Sequence, residues 1–225
     1  MAEKYGPLTA EPGADRYGAL LAVTEAIAAQ RDLAALCRDL ARRLPSVVRF
    51  EFIGFLLHDP SRHVMRVHVL ETSESKTLPS GMELPVAESA GGWVWMHQQP
   101  LIVPCLENET RFPKGLAILR DIGVASLCMF PLTTAVRRLG AMGFGSLNPC
   151  AFGEAELAFL EQVVKQVAVA IDNVLNDEAA QAAQQHLARE RDRLRLLLDV
   201  NNAVVSHLDF RDVFAATAAS LRRVL

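Results

Sequence analysis

The chain has 225 residues, 51% of them apolar and 22% charged, a balance that supports a sizeable core and excludes global disorder. With 23 basic against 26 acidic residues and a net charge of −3, bulk charge does not advertise a nucleic-acid surface, and no nucleic-acid contact is expected. The cysteines, Cys37, Cys105, Cys128 and Cys150, form no C-x-x-C pair and match no zinc pattern. They read as reduced thiols of a cytoplasmic protein, with no signal segment at the N-terminus. The most apolar helical stretch, Val163–Leu175, is interrupted by Lys165, Gln166, Asp172 and Asn173, so no membrane span is expected.

Residues 1–16 hold Gly6, Pro7, Pro12 and Gly13 and read as a flexible lead-in. From Tyr17 to Ala28 the apolar residues follow a helical period. Asp32 is placed to cap a second helix carrying Leu33, Leu36, Cys37, Leu40, Ala41 and Leu44, which Pro45 stops. The texture then turns β-branched and aromatic. Val47–His58 and His63–Leu70 predict a hairpin around Asp59-Pro60-Ser61, and Met82, Leu84 and Val86 alternate as a third strand. A short helix over Ala90–His97, a short strand Leu101–Val103 and a polar, irregular stretch over 104–123 with a helix at Lys114–Asp121 follow. Loops of that length inside a domain tend to be functional. Ser126–Leu132 and the glycine-rich Leu139–Leu147 predict a second hairpin turning at Ala135–Arg138. The last long helix carries Leu157, Leu160, Val164, Val167, Ile171, Val174 and Leu175 on one face.

Beyond Asp177 the sequence stays helix-prone but polar. Leu187, Leu194, Asn201 and Leu208 repeat every seven residues beside Leu197, Leu198, Val204 and Val205, a heptad pattern that predicts a partner helix: its twin in a homodimer, with Tyr17–Ala28 of the same chain as the alternative. Leu20–Leu44 also aligns without gaps on Leu197–Leu221, with Asp32 matching Asp209 before an amphipathic helix in each copy. This internal repeat predicts that residues 194–225 open a second domain, after a helical linker over 177–193.

The order of elements, and the stretches Ala90–Val103, Gly123–Leu132, Leu139–Leu160 and Gln166–Asn173, resemble a GAF domain over residues 17–176. The resemblance implies an α+β fold: an antiparallel five- or six-stranded sheet flanked by helices, followed by a long connecting helix. Arg189–Val205 is similar to the junction between tandem GAF domains in formate-hydrogenlyase-type, sigma-54-dependent transcriptional activators. That similarity implies a regulatory sensory module with a small-molecule or small-anion effector, formate in particular. The alternatives are a non-binding dimerisation and relay module and, in a different class, a GAF-type methionine sulfoxide reductase. No enzymatic activity is expected: there is no G-x-S-x-G, H-E-x-x-H or phosphate-cradling G-x-x-x-x-G-K-[ST] motif, and the isolated Ser73-x-x-Lys76 lacks its partner motifs. A cyclic-nucleotide signature fails at Asn108-Glu109 and Phe112-Pro113, cysteine-linked bilin is unsupported, and no cofactor is expected.

The site the resemblance implies is a pocket between the sheet and the 104–123 segment. Its candidate lining is Trp93, Cys105, Arg111, Phe112, Arg120, Cys128, Phe144 and Ser146. Trp95, two residues from Trp93 on the same helix, points elsewhere. Arg111 and Arg120 have the chemistry to hold a small anion by charge-assisted hydrogen bonds, with solvated surface charges as the alternative. His58 and His63 flank a turn next to Asp59, but two histidines are short of the usual zinc ligand count, and a solvated hairpin end is expected rather than a metal site. His97 reads as a helix-end histidine.

Overall fold

A computed structural model describes residues 33–72 and 81–207. The expected 17–28 helix, the Asp32 cap, the Ser73/Lys76 pair and most of the second repeat lie outside these residues. The first described helix, α1 (Leu33–Arg43), carries the predicted stripe, and Leu33, Leu36, Cys37 and Leu40 are buried. It gives way to a single 3-10 turn, Leu44–Ser46, that contains Pro45, since proline can neither donate to the preceding turn nor avoid its carbonyl.

The strands are β1 (Phe52–Asp59), β2 (Val64–Thr72), β3 (Glu83–Pro85), β4 (Leu101–Val103), β5 (Ser126–Thr133) and β6 (Arg138–Ser146). Between them lie α2 (Ala90–His97) and α3 (Pro113–Asp121), and α4 runs from Glu154 to His207. The six-stranded sheet has the order β3-β2-β1-β6-β5-β4, and every neighbouring pair is antiparallel. This is the expected α+β class. Several boundaries shift by a residue or two, and two differences from the sequence reading have a clear cause. The first strand begins at Phe52 rather than Val47, because the Val47 and Val48 N–H groups both donate to Leu44 O. Val48 and Phe50 are nevertheless buried, so their alternation reflects core packing without strand pairing. Val86 lies in a 3-10 turn, Val86–Glu88, since Pro85 offers no N–H to extend the β3 ladder.

Strand alternation sends neighbouring side chains to opposite faces. One face packs against α1 and α4. There Phe55, Phe130 and Phe144 meet Leu160, Val163, Val167 and Ile171 of α4 in one buried cluster. Phe50 and Phe144 sit edge to face at 5.3 Å, an arrangement aromatic pairs favour. The other face carries Phe52, Leu127, Met129 and Ala141 and is covered by Val94 of α2 and Leu116 of α3. At the β1–β6 seam a side chain on Gly140 would meet Leu56 O at 1.9 Å, so that strand approach requires glycine.

The chain divides into two compact units, Met1–Leu175 and Asn176–Leu225, and α4 is helical across the boundary. In the second unit the described side chains of 177–202 are all exposed, among them Leu187, Leu194, Leu196, Leu197, Leu198 and Val200 at 59–67%. Among the described residues no helix is long and apolar enough to cross a membrane.

Candidate functional site

Beneath α2 and α3 the sheet face is not filled. β1 presents Gly54 between Phe52 and Leu56, and β6 presents Gly143 and Gly145 after Ala141. Gly54 pairs directly with Gly143, and Phe52 with Gly145. Two adjacent central strands thus supply three positions without side chains to the same patch. The opposing helices add Gly91 on α2 and Gly115 on α3, and the five glycines border a cavity of about 80 Å³. Its walls are apolar, with Leu127 and Met129 from β5, Val67 from β2, Leu84 from β3 and Met82 just before it. Glycine inside a strand costs stability and often marks a place where another group approaches the backbone.

Polar chemistry at this cavity is sparse. Ser89 borders it, but its hydroxyl caps α2, accepting from Gly92 N at 3.0 Å, and it lies 3.5 Å from Val86 O, to which it donates. Among the described lining residues there is no Lys, Arg or His. The volume accommodates a few waters or a ligand of a few heavy atoms, well short of the ~300–1,000 Å³ of a typical drug-sized site.

None of the eight residues nominated from the sequence lines this cavity. Cys128 and Phe144 are fully buried in the cluster under α1 and α4, on the opposite face of the sheet. Burial pushes the Cys128 thiol up and keeps it protonated. Ser146 donates to the Glu51 carboxylate at 2.8 Å and accepts from Asn148 N at 3.2 Å, closing the end of β6. Arg120 lashes down the loop before α3: its Nε and Nη2 donate to Leu106 O at 3.3 and 3.2 Å, and Nη2 also reaches Glu109 O. Arg111 forks onto Glu109, with Nε at 2.9 and 3.1 Å from the two carboxylate oxygens. Its guanidinium lies 5.6 Å from the Trp93 ring centroid and 5.4 Å from that of Phe112. The Arg111 hydrogen bond holds the Glu109 carboxyl below the usual carboxylate range. The structure therefore brings Arg111 over the half-buried Trp93 and the buried Phe112 at the edge of the core, with its charge already paired by Glu109. Cys105 is half-buried at the end of that loop.

Trp93 and Trp95 diverge as expected, yet neither reaches the cavity. Trp93 stacks on His97 at 4.5 Å, and His97 Nδ1 lies 2.9 Å from Trp93 O, so His97 closes its own helix. The residues that make the cavity are the glycines. The usable signal was their alternation at 143 and 145 within a strand, together with Gly91 opening α2. Sequence reasoning looked instead for side chains with chemistry.

Comparison with known proteins fits this geometry. Residues 30–172 match the family model of the GAF domain, and the chain belongs to that family. It is 23% identical over 200 residues to the formate hydrogenlyase transcriptional activator of Salmonella typhimurium strain LT2, covering 87% of this chain and 27% of that protein. The chain thus spans about a quarter of that relative's length. Among solved structures, the GAF domain from a phosphoenolpyruvate-protein phosphotransferase of Coxiella burnetii superposes with a TM-score of 0.63 at 16% identity, over 76% of this chain and 99% of that one. Free methionine-R-sulfoxide reductase from Neisseria meningitidis does so with a TM-score of 0.60 at 15% identity, over 79% and 99%. These two likenesses define the fold.

Proposed function

We propose that this GAF domain is the sensory part of a transcriptional regulator and that its effector is small, uncharged and largely apolar. The observation that carries the reading is the glycine-bordered cavity between the sheet and α2/α3. Similarity to a transcriptional activator supports the regulatory role. A formate ion entering this cavity would lose its hydration with no described cation to replace it, a cost of several kcal/mol. The geometry therefore favours a neutral effector over formate. Thiol-based reductase chemistry at this cavity has no support either: Cys128 is fully buried with its thiol shifted up, and the more accessible Cys105 and Cys150 do not line the cavity. A thermal-shift screen with neutral and anionic metabolites tests the effector class, and turnover of free methionine sulfoxide in a thiol-coupled assay would overturn the non-enzymatic reading.

A second component has its own observation. Six large apolar side chains between Leu187 and Val200 are 59–67% exposed, and burying one leucine is worth about 1.5–3 kcal/mol. The second-unit helix is therefore proposed to pair with its twin in a homodimer. Changing Leu194 and Leu198 to Asp is expected to give a monomer by light scattering. A wild-type monomer at high micromolar concentration would contradict the pairing.

A further inference from the structure

The β1–β2 turn carries two histidines whose arrangement the sensory function does not use. Asp59 caps the turn, its Oδ1 accepting from Ser61 N at 2.9 Å and from Ser61 Oγ at 2.5 Å. Arg62 and Arg66 tie it to Glu83 at 2.6 and 3.1 Å, and Arg66 also binds Asp59 at 3.0 Å. His63, the last residue of the turn, takes a φ of +53°, the left-handed region that few residues other than glycine visit. His63 Nδ1 lies 3.4 Å from His58 Nε2, with the rings nearly perpendicular at 86°. The opposite support is Trp95, stacked on His58 at 3.9 Å between centroids and 20° between planes. His63 is exposed and His58 half-buried, so the pair is open to solvent yet held from both sides.

We propose that His58 Nε2 and His63 Nδ1 chelate a divalent transition-metal ion of the zinc type, with water completing the shell. The separation fits: two nitrogens on one tetrahedral ion, at ~2.0–2.1 Å each, stand about 3.3 Å apart. In the metal-free chain the same contact is a hydrogen bond, one ring N–H donating to the other ring nitrogen, and a bound ion would take the place of that proton. Metal ligation uses neutral imidazoles. Neutral imidazole suits Zn²⁺, Ni²⁺ and Cu²⁺. Among the described residues no group of three or more His, Cys, Asp or Glu is arranged for a metal, so the site offers two protein ligands and binds reversibly. It lies outside the apolar cavity and does not depend on the effector assigned there.

Trp95 supplies the readout. The chain has two tryptophans, and Trp95 rests on one of the proposed ligands. Ni²⁺, an open-shell ion, is titrated into the whole chain at neutral pH while tryptophan emission is followed, and then Zn²⁺ is added. The expected result is saturable quenching by Ni²⁺ and recovery as spectroscopically silent Zn²⁺ displaces it. Affinity should fall as pH drops through the imidazole range. His63→Asn, which tolerates a positive φ and leaves the Trp95–His58 stack in place, should weaken binding about tenfold or more. His58→Gln should do the same. Absence of quenching in the wild type, or a titration curve unchanged in His63→Asn, would overturn the proposal.

Discussion

The two faces of the sheet are built from the same strands and from alternate residues of one sequence, yet they are finished differently. The face under α1 and α4 is closed by large side chains, with Phe55, Phe130, Met142 and Phe144 all at 2% exposure or less. The face under α2 and α3 is interrupted by Gly54, Gly143 and Gly145 and keeps a cavity. Close packing is what stabilises a domain, and an unfilled apolar space forgoes dispersion contacts. The first face therefore holds the fold, and the second gives up part of that stabilisation to keep room for a ligand.

Substitutions on the two faces should separate these roles. The largest effect is expected for Phe144→Ala, which empties the packed face: about 3–5 kcal/mol of stability lost, read as a lower urea midpoint with little change in slope. Gly140→Ala should follow closely at about 3 kcal/mol, since its methyl group must displace the Leu56 backbone. Gly143, three residues further along the same strand, should behave in the opposite sense. Its added Cβ would meet Met129 Cγ and Cε at 3.3 and 3.4 Å, atoms of an unbranched side chain that can yield. Gly143→Val should then stay within about 1 kcal/mol of the wild type in thermal unfolding while filling the cavity.

The smallest effect concerns the loop before α3. The Glu109 carboxyl is held low by its hydrogen bond from Arg111, so its pKa is lower in the folded than in the unfolded chain. The bridge contributes in full above the ordinary carboxylate range and is lost as pH falls through the depressed folded value. Glu109→Gln should remove that part of the acid sensitivity. Amide exchange over 104–112 should rise in the wild type only at acid pH and in the variant already at neutral pH.

The fold was legible because its signals are periodic. The stripe through Leu33, Leu36, Cys37 and Leu40 states which face of α1 is buried, and the unbroken apolar run Leu127–Phe130 marks a strand buried on both faces. The Ser89 hydroxyl caps α2, a signal that the reading of Ala90–His97 did not use. Val47–Glu51 misled because burial alone produces alternation, and the ladder begins only where Glu51 N reaches Gly145 O. The site was not legible by the same route. Arg111 and Arg120 have the chemistry of anion binders, but Glu109 and the carbonyl of Leu106 occupy them, and such pairing is a tertiary fact. Cys128 and Phe144 fall on the packed face because of strand register, which no local motif reports. The cavity itself is written in residues without side chains, to which a search for reactive groups is blind.

The most direct measurement is a paired thermal-shift titration of the wild type and Gly143→Val with small neutral, apolar compounds and with formate. A neutral ligand at 100 times its dissociation constant should stabilise the wild type by about 2.7 kcal/mol. The account predicts that this shift disappears in Gly143→Val and that formate moves neither protein. A formate-induced shift of equal size in both would place the effector outside the glycine-bordered cavity and contradict the account.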